Sequence, residues 1–472
     1  MTIPMLKYAA ALGLAATAMP FANAQDSALI DILQRKGVLS AKEAASIREE
    51  MKHGSDDSAS KIKLNSAVSE LKLYGDLRMR YEYSDRDAQL PPNAGGGANV
   101  SQLSRWRFRL RLNADFKLGE HVFGGVELQT NNQSDSPNQT YGDGFSDYNI
   151  FISKAFMGWK PTDWLTLTGG KFSNPFYSSE LTWDPDINPT GISEVIAFHK
   201  LVAGEPASGG GYSKDGKSMK AVAPAELPWE LTLVAGQFIF DDNPESGGPD
   251  YDSSSDAYLF ETQLIGSYKF GGTKVTLAPA WLTYVNGSLA DVANSNSFND
   301  NAFVSGATRN LNLLLAPGDI SFSAGGLKTK LFWDFSYNLD GDGRVQDIYR
   351  LANTAGNPQH RTVDDFAYLV GLQVGENKKS GDWSLATNWR QTGLGAVDPN
   401  LNDSDYAGSE LNTRGVEAAI SYNFSDFAIG TITYSYAWNI RNSLTGGEVT
   451  GGNAIGDANK FQLLQVDLAI KF

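Results

Sequence analysis

Few residues of this chain stand where their chemistry could be catalytic. Gly211 to Ser218 reads GYSKDGKS, a letter-for-letter match to a phosphate-binding loop. Such a loop works only when a buried strand leads in and a helix leads out, so that free backbone N–H groups surround the phosphates. Here Glu205 to Gly211 leads in and Pro224 follows closely, so the flanks argue against nucleotide binding. Asn338, Asp340 and Asp342, followed by Gly343 and with Asp347 nearby, resemble the start of a calcium loop. The twelfth position is Tyr349 and not the bidentate Glu of an EF-hand, which leaves a looser calcium site or a plain acidic turn. His53, His121, His199 and His360 are scattered, with no H-E-x-x-H and no nucleophile elbow. No catalytic residue and no cofactor are expected. The absence of cysteine removes thiolate metal sites, disulfides and thiol nucleophiles.

Arginine is the type whose spacing carries a signal. Arg105, Arg107, Arg109 and Arg111 interleave with Trp106, Phe108, Leu110 and Leu112, and Arg78 and Arg80 alternate with Leu77, Met79 and Tyr81. Successive side chains of a strand point to opposite faces, so each segment has one greasy and one charged face. One such strand would suit a soluble sandwich, but the period persists. Leu331, Trp333, Phe335 and Tyr337 oppose Lys330, Asp334 and Ser336; Ile432, Tyr434, Tyr436 and Trp438 oppose Thr431, Thr433 and Ser435.

The elements that must position the arginines are therefore strands. They are predicted near 71–83, 103–117, 121–131, 148–160, 163–173, 217–226, 229–240, 257–270, 273–285, 310–323, 326–338, 363–376, 381–393, 410–424, 427–441 and 460–472. Pro224 and Pro317 interrupt the alternation in two of them. Sixteen is an even number, as a closed single-chain barrel requires if both ends lie on one side of a membrane. Seven tight connections are expected: 118–120, Pro161-Thr162, Leu227-Pro228, Gly271-Gly272, Ala324-Gly325, 377–380 and Ser425-Asp426. They alternate with eight long polar ones, the longest from about Ser173 to Gly216. A sandwich has no reason to sort its loops by parity, whereas a transmembrane barrel does.

The N-terminus gives an address. Lys7, an apolar run from Tyr8 to Met19 and Ala22-Asn23-Ala24 before Gln25 form a secretory signal over 1–24. About 12 apolar residues cannot span a bilayer core that needs about 20. Leu29, Ile30 and Leu33, then Ala44, Ile47 and Met51 after a capping box at Ser40 to Glu43, predict a helical hairpin. With a Gly/Ser/Asp linker this hairpin fills 25–60, and its small apolar stripes suit self-association; the barrel then takes 61–472. The 472 residues carry a formal charge of -15, 48 glycines and 53 aromatic residues (24 Phe, 19 Tyr, 10 Trp). The aromatic content excludes a disordered chain, and the acidic balance argues against nucleic acid.

The last strand alternates Leu464, Val466, Leu468, Ile470 and the terminal Phe472 with Gln465, Asp467 and Lys471. A strand ending on a C-terminal Phe resembles the signal read by outer-membrane assembly machinery in Gram-negative porins. LTLTGGKFSNPF at Leu165 to Phe176 and LTWDPDINPTG at Leu181 to Gly191 resemble the "putative porin" family of Gram-negative outer membranes. Leu331 to Asn338, Ala367 to Trp383 and Asp403 to Tyr406 are similar to it as well. The resemblance implies an outer-membrane barrel among lipid and lipopolysaccharide, assembled as a homotrimer, passing small hydrophilic solutes and ions. The alternative is a receptor or adhesin barrel without open-pore transport, although no long plug or passenger domain is visible.

In such a barrel Arg78, Arg80, Arg105, Arg107, Arg109 and Arg111 form a basic ladder on the inner wall. One reading is a solvated wall neutralised by Glu82, Asp115 and Glu127. The sharper reading takes the long loop between the fifth and sixth strands as a constriction, similar in place to that of general porins. Its acids Glu180, Asp184, Asp186, Glu194 and Glu205 would face the arginines across an eyelet, where opposed charges orient dipolar solutes.

Overall fold

The computed structural model describes residues 65–88, 99–131, 136–142, 144–203, 227–241, 257–285, 310–351, 364–440 and 458–472. The chain divides into two units, Met1–Ser66 and Ala67–Phe472, and the architecture below is that of the second. The signal segment, the helical hairpin with its linker, and the phosphate-loop match at 211–218 lie outside the described residues.

Sixteen barrel strands follow in chain order. They are β1 (Val68–Ala88), β2 (Asn99–Leu118), β3 (Val122–Thr130), β4 (Ile150–Thr162), β5 (Leu165–Lys171), β6 (Thr190–Ala197), β7 (Trp229–Asp241) and β8 (Ala257–Phe270). After these come β9 (Thr273–Leu277 and Ala280–Val285), β10 (Asn312–Leu315 and Gly318–Ala324), β11 (Leu327–Asn338) and β12 (Phe366–Gly375). The last four are β13 (Trp383–Thr392), β14 (Thr413–Asn423), β15 (Ala428–Asn439) and β16 (Ala458–Lys471). All pairings are antiparallel between sequence neighbours, and β16 pairs with β1, so the sheet closes without a free edge.

The seam closes at Gly75. Its N–H donates to Phe472 O at 2.8 Å, and Phe472 N donates back to Gly75 O at 3.1 Å. A Cβ at Gly75 would meet the Phe472 ring and the Arg111 carbonyl, so only glycine lets the last strand lie this close. β9 and β10 are each broken at a proline, Pro279 and Pro317, because proline has no N–H for the ladder. Across the breaks Ala278 N donates to Pro317 O and Ala316 N to Phe335 O, both at 2.9 Å.

The sixth strand differs from the sequence expectation. The predicted segment 217–226 lies outside the described residues, and the place between β5 and β7 is taken by Thr190–Ala197, which pairs with both. The loop after β5 is accordingly 172–189. The connection from β6 to β7 spans 198–228, opening with helix α1 (Phe198–Ala203), and Leu227-Pro228 directly precedes β7, whose partners are β6 and β8. Pro161-Thr162 belongs to β4, and Asp163-Trp164 makes that turn. The alternation of β6 is masked because Val195, Ile196 and Ala197 run together, so no dyad marks it in the sequence. The remaining connections at this end are short, with Gly271 and Gly325 at φ 56° and 57°, where glycine carries no Cβ penalty.

The outer face is apolar and exposed. Leu77, Met79, Trp106, Leu112, Leu331, Val370, Leu385, Val416, Ile432 and Val466 all point away from the lumen. Tyr268, Phe270, Trp383, Tyr422, Phe424 and Phe427 gather at the turn end, one of the two levels where a barrel carries an aromatic girdle. An apolar belt this continuous fits lipid rather than water. Among the described residues no helix is long and apolar enough to cross a membrane.

Inside, the wall is not uniformly polar. Val234, Phe238, Leu259, Ala280, Leu282, Leu313 and Leu315 on β7 to β10 form one buried cluster with Phe172, Phe176 and Trp183 of loop 172–189 and Leu401 of loop 393–412. Phe172, Phe176 and Trp183 meet the Phe238 ring edge-on at 6.0, 6.1 and 6.2 Å. A Cβ at Gly236 would strike the Phe238 and Phe176 rings, so the strand is bare where the loop lands. Burial of each such side chain stabilises by about 1.5–3 kcal/mol. One side of the lumen is thus filled, and open space is left against β1, β2 and β12 to β16.

Candidate pore constriction

The alternating sequence of β1 and β2 folds into a register that sets Arg78 opposite Arg109, Arg80 opposite Arg107, Glu82 opposite Arg105 and Asp76 opposite Arg111. All eight side chains share the inner face. Like charges directly opposite repel, so each arginine is drawn to a carboxylate. Arg80 makes a bidentate pair with Asp467 of β16, at 2.8 and 2.9 Å, and reaches Asp405 at 2.9 Å. Arg109 and Arg111 share Asp76, at 3.0 and 2.7 Å. Glu82 takes Arg105 and, at 3.3 Å, Arg107. Arg78 donates to Asn138 Oδ1 at 2.6 Å and lies 3.9 Å from Asp467.

Of the three acids expected to neutralise this wall, Glu82 does so. Asp115 instead accepts the Tyr74 hydroxyl at 2.8 Å, and Glu127 pairs with Lys154 at 3.0 Å. Asp76 and Asp467 take their place. Asp76 is a local partner, on β1 directly opposite Arg111 of β2, whereas Asp467 meets Arg80 only when the barrel closes and β1 pairs with β16.

Loop 172–189 turns into the lumen. Tyr177 N donates to Gln263 Oε1 at 2.7 Å, and the Tyr177 hydroxyl donates to Asp319 at 2.5 Å. Ser179 and Thr182 both donate to Asp334 of β11, at 2.7 and 3.1 Å. Glu180 reaches Arg390 of β13 at 3.2 Å. At the other side Asp186 lies 3.5 Å from Arg109 and 4.0 Å from Arg111. The loop therefore spans from the far wall to the arginine row.

A second inward loop, 393–412, joins β13 to β14 and lies on the first. Asp184 N donates to Leu401 O at 2.5 Å, Asp403 N to Glu180 O at 3.0 Å, and Ser404 N to Asp184 Oδ2 at 3.4 Å. Arg390 stacks on the Tyr406 ring at 4.0 Å and also holds Glu417 at 3.4 Å. Burial, aided by the Asp186 charge, pushes the Asp184 carboxyl up to about 7. Burial likewise raises Asp403 well above the usual range, with Glu180 and Asp405 adding to it. For Asp405 burial acts in the same upward sense, but the Arg80 guanidinium overrides it and holds the group at about 2.

Between the arginine row and the two loops is a cavity of about 810 Å³, with Arg78, Arg109 and Arg111 on one side and Asp184, Asp186 and Asp405 on the other. Three of the five predicted loop acids, Glu180, Asp184 and Asp186, border this space. Glu194 does not: it lies on β6 with Ile192 on the outer face, while Ser193 and Val195 turn inward. Glu205 lies outside the described residues. Arg390, Glu417, Asp334, Asp403 and Asp405 also border the space or anchor its loops, and no spacing in the sequence marks them as site residues. The sequence offered one clue, the Asp403 to Tyr406 segment, and no hint that it folds inward.

The other sequence candidates have ordinary structural partners. Asn338 accepts from Asn312 N and Asp340 N, each at 3.1 Å, and donates to Asn310 O and Gly395 O at 2.9 and 2.7 Å. Helix α2 (Gly341–Leu351) begins directly after Asp340 and takes in Asp342 and Asp347, so the four residues do not share one open loop. Among the described residues no group of three or more His, Asp or Glu side chains is placed to hold a metal. His121 and His199 lie 2.9 and 3.2 Å from the Lys160 and Leu231 carbonyls.

Solved structures similar to the barrel include Salmonella typhi OmpF in complex with daunomycin, at 12% identity and TM-score 0.43, covering 87% of this chain and 100% of that one. A porin variant of Rh. blastica matches at 9% identity and TM-score 0.40, over 85% and 100%. A loop-deletion mutant of OmpT from Vibrio cholerae matches at 10% and 0.37, over 86% and 100%. No curated protein matches. The model of the "putative porin" family matches residues 43–310, more than half of the chain. With its closed sixteen-strand barrel, the chain belongs to that family of outer-membrane porins.

Proposed function

We propose that the barrel is a water-filled channel for passive diffusion of small hydrophilic solutes and ions, narrowed where loops 172–189 and 393–412 meet the arginine wall. The observation that supports this best is the cavity between Arg78, Arg109 and Arg111 and the carboxylates Asp184, Asp186 and Asp405. Fixed charges of both signs around a narrow aqueous gap orient dipolar solutes and disfavour apolar ones. Arg105 and Arg107 continue the basic wall above the gap, and Glu180 anchors the loop. Residues 1–24 act as a cleaved export signal. Phe472 serves as the assembly mark for insertion among lipid and lipopolysaccharide, and three copies assemble, with the 25–60 hairpin adding contacts.

Planar-bilayer recording of the refolded protein tests the channel. Large ohmic steps are expected, whereas silence of a folded, heat-modifiable barrel would overturn it in favour of a receptor or adhesin. Replacing Arg107 and Arg109 by Gln is expected to shift the reversal potential in a salt gradient. An unchanged selectivity would remove the charged constriction.

A further inference from the structure

We infer that the turn-end vestibule of this channel carries a binding site for small oxyanions, carboxylates or phosphates, built from inward lysines of β8, β9 and β11. This rests on the channel reading and names the solute class. The pairing register lines up Lys269 with Lys274, Lys274 with Ser321, and Ser321 with Lys330. Alternation puts these on the inner face with Ser267, Thr276 and Asp319. Lys328 lies two residues from Lys330 on the same face, and Lys378 approaches from the turn between β12 and β13.

Two adjoining cavities, of about 470 and about 580 Å³, are lined by this row and share Lys274 and Lys330. Their carboxylates are already engaged. Glu230 holds Lys274 at 3.2 Å and Lys269 at 3.7 Å, Glu376 holds Lys378 at 2.7 Å, and Asp319 accepts from Tyr177 and Ser321. Lys330 instead projects over the Tyr177 and Phe332 rings at 6.0 and 5.9 Å. Those rings hold the ammonium in place without neutralising it. A chain of net charge -15 thus concentrates cations at one mouth of its lumen. Tyr177 belongs to the constriction loop, so the site lies directly on the turn-end side of the narrowing, where an oxyanion would be held before or after passage. The Thr276 hydroxyl on the same face supplies a neutral donor of the kind that oxygen-rich anions also use.

The test uses the full chain refolded in detergent, its K328Q/K330Q double variant, and citrate and inorganic phosphate as separate probes. Calorimetric titration is expected to show binding weakened about tenfold in the variant, as loss of short-range attraction to two ammonium groups in water predicts. In bilayers either anion, added to the turn-end compartment, is expected to reduce potassium chloride conductance of the parent more than of the variant. Binding of citrate alone would assign the site to carboxylates, and of phosphate alone to phosphates. Equal affinity of parent and variant, or no binding of either probe to the parent, would overturn the inference. A folded barrel that binds the anions but passes no current would overturn the channel reading and leave the site standing.

Discussion

Asp184 sits where two loops meet, its backbone N–H given to Leu401 and its carboxylate receiving Asp186 N and Ser404 N. Burial and the neighbouring Asp186 and Asp405 charges raise it to about 7. The folded barrel therefore binds a proton there more readily than the unfolded chain, and this group adds stability as the pH falls from about 7 towards the ordinary value of about 3.9. Below about 7 the constriction also loses a negative charge. Anion permeability relative to cation permeability is expected to rise between about pH 8 and about pH 6. Reversal potentials in a salt gradient would show it, and D184N should flatten the profile near its acid value. A profile of unchanged slope in D184N would assign the effect to another group. At this scale the ladder Arg78, Arg80 and Arg105 to Arg111 was legible in the sequence, since strand alternation alone puts those residues on one face. Of their partners Glu82 was legible too, but Asp467 and Asp405 were not, because Asp467 lies at the opposite end of the chain and Asp405 comes from a loop.

Loop 172–189 is held by two kinds of contact. Polar ties reach β8, β10, β11 and β13 through Gln263, Asp319, Asp334 and Arg390, and an apolar cluster centres on Phe238. Truncation of Phe238 removes three edge-on ring contacts and leaves a cavity. A Phe238→Ala change should cost about 3–5 kcal/mol, read as an earlier loss of the heat-modifiable band on a temperature series. The loop should also move more freely, with larger and noisier single-channel conductance. A quiet, parental conductance in Phe238→Ala would mean that the polar ties alone fix the loop. The strand elements were mostly legible because dyad alternation is a local property. β6 was not, since Thr190 to Ala197 lacks clean alternation and its strand identity comes from pairing with β5 and β7. The inward fold of 393–412 was equally hidden: Leu394, Ala396, Val397 and Leu401 are buried against the lumen, but their spacing shows no period.

The molecule as a whole depends on closure. β1 pairs with β16 from Asp76 to Ala88, and the Gly75–Phe472 exchange completes the seam. A valine at 75 would place its side chain against the Phe472 ring and the Arg111 carbonyl. Gly75→Val is therefore expected to lower sharply the fraction refolding to the heat-modifiable form, while alanine should do so less. Equal refolding yields for parent and Gly75→Val would show that the seam tolerates a wider approach. Closure also explains how a chain with mean hydropathy of -0.30 presents an apolar belt to lipid. Every second residue faces the lumen, so the average conceals the outer face.

The sequence by itself determined the class of architecture, all the strands but the sixth, the basic ladder and the family resemblance. Each follows from alternation, parity or local motif, which are properties of neighbours along the chain. Only the tertiary structure decided which acid meets which arginine, that one side of the lumen is filled by a Phe238-centred core, and that loop 393–412 lies on loop 172–189. These depend on residues brought together by barrel closure and by loop packing. Local sequence constrains that packing weakly, because a loop has no period to betray the direction in which it folds.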